Sequence, residues 1–253
     1  MINVCGGNLT IEDLEGIEIT GPKSAGPRWK GVDHHTLARS VEGALGSRDI
    51  QVARSVWSLS NDRQDLFGGF DVTLPDRYGI PEPEGMKYAL GIRSSNAQRY
   101  AIKMAVGGTV MVCSNGVITG EFVLSKKHTL NLDVNSAVNN GVERWLGDIR
   151  NVSGTVDAMK GMFLSSRRKD HLLMEAARRG MMAWGHVGLV DKEYSQPSFK
   201  EFEGQNAWSL YNAYTQVMSA PIGAEGSERP RLSPNRQMDG MNGMRSLLLQ
   251  EAA

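Results

Sequence analysis

The chain is 253 residues long, 40% hydrophobic and 22% charged, which is a globular composition and excludes a disordered polar chain. Its 28 basic side chains are balanced by 28 acidic ones, so no global field draws it to nucleic acid or to anionic membranes; any polyanion site must arise from local clustering. Two cysteines, Cys5 and Cys113, lie far apart without a CxxC pattern. They read as free thiols of a reducing compartment, not as a disulfide framework or zinc site. The first residues lack a basic start and apolar run, and no apolar stretch approaches the roughly 20 residues that span a bilayer. A cytoplasmic location, with no membrane partner, is therefore expected.

In chain order, residues 1–30 are rich in Gly and Pro and predict a short strand or hairpin at Ile17–Ile19 followed by a loop. Residues 32–45 predict a helix. Asp33 is placed to cap it, Leu37, Val41 and Leu45 recur on one face, and Gly46 stops it. The period then falls to two. Val52–Leu59 and Leu66–Leu74, separated by the turn-like segment 60–65, predict an antiparallel hairpin. Further strands are expected at Tyr88–Arg93, Arg99–Val106, Thr109–Cys113 and Gly116–Leu124, with Gly107-Gly108 joining the middle two. From Thr129 the periodicity is helical, through 130–149, 153–162, 170–184 and 207–220. Residues 221–243 carry prolines, glycines and arginines and predict an extended or mobile tail, with a possible short helix over 243–253. The expected architecture is α+β: an antiparallel β-meander flanked by an N-terminal helix and a C-terminal helical region. It would form one domain over 1–220, strand-rich to 128 and helical from 129, with 221–253 as the tail.

No constellation points to catalysis, and no enzyme, cofactor or metal site is expected. Adjacent His34 and His35 on a helix point about 100° apart and cannot both face one ion. Cys113, with Ser114 and Asn115 after it, ends an apolar strand and reads as a small buried hydrophobe, untied to any histidine. Gly68-Gly69 and Gly107-Gly108 fit neither GxxxxGK[ST] nor GxGxxG. Local basic clusters carry more. Arg93, Arg99 and Lys103 lie on or beside the central strands with Tyr88 and Tyr100 nearby, Lys126 and Lys127 close the strand region, and Arg167, Arg168 and Lys169 open a helix. Cations that track phosphates beside rings that stack on bases suit a single-strand groove; a solvated helix face paired with Asp170 or Glu175 is the alternative for the last cluster.

Several blocks form an ordered set: Trp29-Lys30-Gly31-Val32-Asp33-His34-His35, Ser58–Asp62, Leu66-Phe67-Gly68 and Leu90–Asn96. They continue with Val106–Gly116, Gly120-Glu121, Lys126–Thr129 and Asn206–Thr215. Over roughly residues 28–220 the chain resembles the phage/plasmid-like family of uncharacterised-domain proteins carried on mobile elements. It departs from that pattern at Ser94-Ser95-Asn96-Ala97, where members often read Asn-Ser-His-Asp, so a histidine and an acid are lost. The helix, meander, helix order is also similar, at fold level, to Rad52-type single-strand annealing proteins. The resemblance implies a phage- or plasmid-encoded accessory protein. The leading expectation is an oligomer that binds and anneals single-stranded nucleic acid in recombination. The alternative is a non-enzymatic protein-interaction factor, such as a virion or assembly component or an inhibitor of host defence, for which 13 methionines and Leu247-Leu248-Leu249 argue. Homo-oligomerisation is expected in either case, because a meander has edges to cover.

Overall fold

A computed structural model describes residues 9–60, 62–82, 86–110, 116–117, 122–219 and 234–250. Helix α1 (His34–Gly46) starts where Asp33 accepts a hydrogen bond from the Thr36 N–H at 2.6 Å, and it buries Leu37, Val41 and Leu45 as their spacing requires. Strands β1 (Gln51–Leu59), β2 (Asp65–Thr73), β3 (Met86–Ser95) and β4 (Ile102–Val110) then run as a consecutive antiparallel meander. Strands β5 (Gly116–Val117) and β6 (Phe122–Lys126) both pair with the outer side of β4. The helical region follows as α2 (Val134–Asp148), α3 (Arg150–Gly161), α4 (Ser166–Arg178), α5 (Trp184–Ser195), α6 (Ala207–Ser219) and α7 (Pro234–Gln250). The fold is α+β, with the helices segregated in sequence from the sheet.

Register gives the sheet two faces. Leu66, Phe70, Val72, Tyr88, Leu90, Ile92, Met104 and Val106 share the face that α1 and α2 cover, forming the first core with Trp57 and Trp145. Phe67, Arg93 and Lys103 are cross-strand neighbours on the other face. A second core, built by α3 to α7, centres on Leu172, Leu210, Tyr211, Tyr214 and Met244. No helix among the described residues is long and apolar enough to cross a membrane.

Four local expectations are corrected. Ile17–Ile19 is not a strand. This segment is fastened through a side chain instead of a ladder: Gln64 donates to the Glu18 carbonyl at 3.0 Å and accepts from the Thr20 N–H at 3.0 Å. Gly107-Gly108 is not a connection but lies inside β4, opposite Ala89 and Tyr88. A β-carbon at Gly108 would stand 2.6 Å from the Met86 methyl, so glycine here serves a close approach. The helical stretch expected over 170–184 ends at Arg178, where Gly180 takes φ +70°, and a separate helix begins at Trp184. Finally, of the stretch expected to be extended or mobile over 221–243, residues 234–243 are helical, in keeping with proline's fit to a first helical turn, and 221–233 lie outside the described residues. That helix buries Met241, Met244, Leu247 and Leu248. Cys5, Cys113, Ser114 and Asn115 lie outside the described residues.

Candidate nucleic-acid interface

Three segments distant in sequence meet at one end of the sheet: the loop before α1, the turn after β3, and the residues after β6. Asn96 fastens the first two. Buried at 1% exposure, it accepts from the Val32 N–H at 2.9 Å and donates to the Val32 carbonyl at 3.0 Å, the same pair of bonds a strand partner would make. Leu130 donates from its backbone to the Arg28 carbonyl at 3.0 Å and ties in the third segment. Asn96→Ala leaves both backbone groups of buried Val32 without partners, and a loss of about 2 kcal/mol is expected in urea unfolding. An unchanged midpoint would show that the loop does not depend on this staple.

Between these segments opens a cleft of about 620 Å³, lined by Arg28, Trp29, Gln98, Tyr100, Lys127 and His128 together with small residues of the loops. Trp29 is seated on backbone. A β-carbon at Gly21 would lie 2.6 Å from its ring, and one at Gly31 would press on Ile19 and stand 3.1 Å from the same ring. Tyr100 lies against Phe67, with ring centroids 5.6 Å apart, and the Arg93 guanidinium is 5.2 Å from its ring centre. Burial, and next the Asp65 carboxylate, raise the Tyr100 phenol well above its ordinary range. It stays a neutral ring.

A buried polar network backs the cleft. His128 Nε2 is 3.1 Å from Ser94 Oγ. Burial, and then the neighbouring His34, push the His128 imidazole down to about 4. Burial likewise lowers His34, whose Nε2 is 3.2 Å from the Arg63 carbonyl. Ser95 donates to Asp65 at 2.6 Å, and Arg99 bridges Asp65 at 2.6 Å and Asp62 at closer range, holding Asp62 far below the usual carboxylate range and raising Arg99 itself. Among the described residues no cluster of three or more His, Cys, Asp or Glu could hold a metal ion.

The ten residues expected at a nucleic-acid site are thus dispersed, and several are already engaged. Tyr88 is buried, and its hydroxyl donates to the Pro81 carbonyl at 2.7 Å, so its ring belongs to the core and cannot stack on a base. Arg93 is buried, 3.5 Å from Asp239. Burial, then the adjacent Arg93, lower the Lys103 ammonium. Arg99 is held by Asp62 and Asp65, and Lys169 is buried between Asp170 and Asp191. Exposed Arg167 and half-buried Arg168 open α4, in the second core. Lys126 and Lys127 are exposed and form no ion pair with another described residue. Only Tyr100 and Lys127 of the ten line the cleft. Trp29 and Arg28 were missed, hidden in a Pro/Gly loop, although Trp29 opens the first of the resemblance blocks. Comparison of the chain with protein-family models, with curated proteins and with solved structures gives no match.

Proposed function

We propose that the chain is a phage- or plasmid-type accessory protein that binds single-stranded nucleic acid at this cleft and acts, as an oligomer, in strand annealing. The observation that supports the reading is the grouping of two rings, Trp29 and Tyr100, with two cations, Arg28 and Lys127, around one concave site. Rings stack on bases of any sequence and cations hold phosphates, which is the chemistry of single-strand recognition. Annealing needs no catalytic group.

The test is fluorescence anisotropy of a labelled oligothymidylate at low and moderate salt, with light scattering for the assembly. Micromolar binding that weakens with salt is expected. Trp29→Ala should reduce affinity by a factor on the order of 10–100, the contribution of one stacked base. No binding at about 10 μM protein in low salt overturns the reading.

A second reading, as a protein-interaction factor, is favoured by Phe163 and Trp184, which are 64% and 56% exposed on the helical region. Specific co-purification of a host or phage protein, free of nucleic acid, would favour it over the first.

A further inference from the structure

We propose that the cleft is a single-nucleotide pocket, in which one base lies against Trp29 and Tyr100 and its phosphate is held by Arg28 and Lys127. This rests on the reading of the cleft as a nucleic-acid site and narrows it to one nucleotide per chain. The shared chemistry is an aromatic base joined to a phosphate, whether free or as one unit of a strand.

Three observations carry it. First, two cations of the sheet region beside the cleft are already engaged: Arg93 faces Asp239, and Arg99 is held by Asp62 and Asp65. A strand lying across that surface would meet acids already bound to the cations. Second, the volume of about 620 Å³ lies within the range of small-molecule sites. Third, only one face of Tyr100 is offered to a base, since the Arg93 guanidinium sits over the ring at 5.2 Å. The pocket is also preformed, because Gly21, Gly31 and Asn96 seat Trp29 and its loop.

The experiment compares thymidine, thymidine 5′-monophosphate and oligothymidylates of four and twenty residues, by calorimetry for the small ligands and by anisotropy for the strands. Lys127→Met is the variant of choice, since this exposed side chain forms no ion pair with another described residue. A one-nucleotide pocket predicts saturable monophosphate binding below about 1 mM, and strand affinity per chain that hardly rises from four to twenty residues. With two phosphate-facing cations, the slope of log affinity against log salt should be near about −1.4. Lys127→Met should weaken the monophosphate about tenfold and leave thymidine unchanged. Strand affinity that grows steeply with length, with a salt slope of roughly −4 or beyond, overturns the pocket while leaving single-strand binding in place. Monophosphate binding without strand binding keeps the pocket and overturns the annealing function. Binding of neither overturns both.

Discussion

Trp145→Ala is expected to cost about 3–5 kcal/mol, the usual loss when a buried tryptophan is truncated to alanine. Trp145 is fully buried on α2, and its Nε1–H donates to the Ala89 carbonyl of β3 at 3.0 Å. It therefore joins helix to sheet both by packing and by a directed bond. Trp145→Phe loses the bond and part of the buried ring volume, so a smaller loss of about 1–3 kcal/mol is expected. Urea unfolding compares the two variants, and thermal melts should show a fall of roughly 10–15 °C for the alanine. Equal midpoints for wild type and Trp145→Ala would mean that α2 does not close the first core. Because α2, capped by Asp133, begins close behind the cleft residues Lys127, His128 and Thr129, looser packing of this helix should also loosen the cleft.

The second large effect is loss of stability in mild acid. His128 is buried neutral with its imidazole near 4, and burial lowers His34 in the same direction. In the unfolded chain both titrate near about 6.5. Between these values the unfolded state binds more protons than the folded state, so stability falls as pH drops from about 6.5 toward 4 and levels off below. The His128 contribution is about 2 kcal/mol at pH 5 and about 3 kcal/mol at pH 4, at 1.36 kcal/mol per unit. His34 adds to it in the same sense. The loss arising from Asp62, whose value is depressed, falls below pH 4 and is distinct. Urea unfolding at pH 7.5 and 5.0 measures the drop, and His128→Gln, which can still bond Ser94, should flatten it. A wild-type stability equal at the two pH values would contradict neutral burial of these rings.

Much of the fold was legible in the sequence because its determinants are local. Asp33, Leu37, Val41 and Leu45 lie within a few turns of one another and define α1; the alternation in 52–59 and 66–74 defines the first hairpin. Gly107-Gly108 misled because a turn glycine and a glycine cleared for a neighbour's side chain look alike until Met86 is seen opposite. The site was less legible, for an electrostatic reason. A basic residue is visible in sequence, but its partner is not: Asp62 and Asp65 neutralise Arg99, Asp239 reaches Arg93, and Asp191 reaches Lys169, each from a distant element. Arg28 and Trp29 had no periodic signal at all, since their role depends on Lys127 and Tyr100 arriving from elsewhere.

The fastenings of the cleft have a consequence for how the chain acquires its shape. Val32 meets Asn96 across 64 residues, and Ser94 meets His128 across 34. Loops of this size must lose their freedom before the contacts that close them bring any return. During synthesis, α1 and the first hairpin can form while the cleft is still absent, and its walls come together only once the segment after β6 has emerged. The cleft thus waits for the whole sheet, though its walls are complete before α2 to α7 have been made.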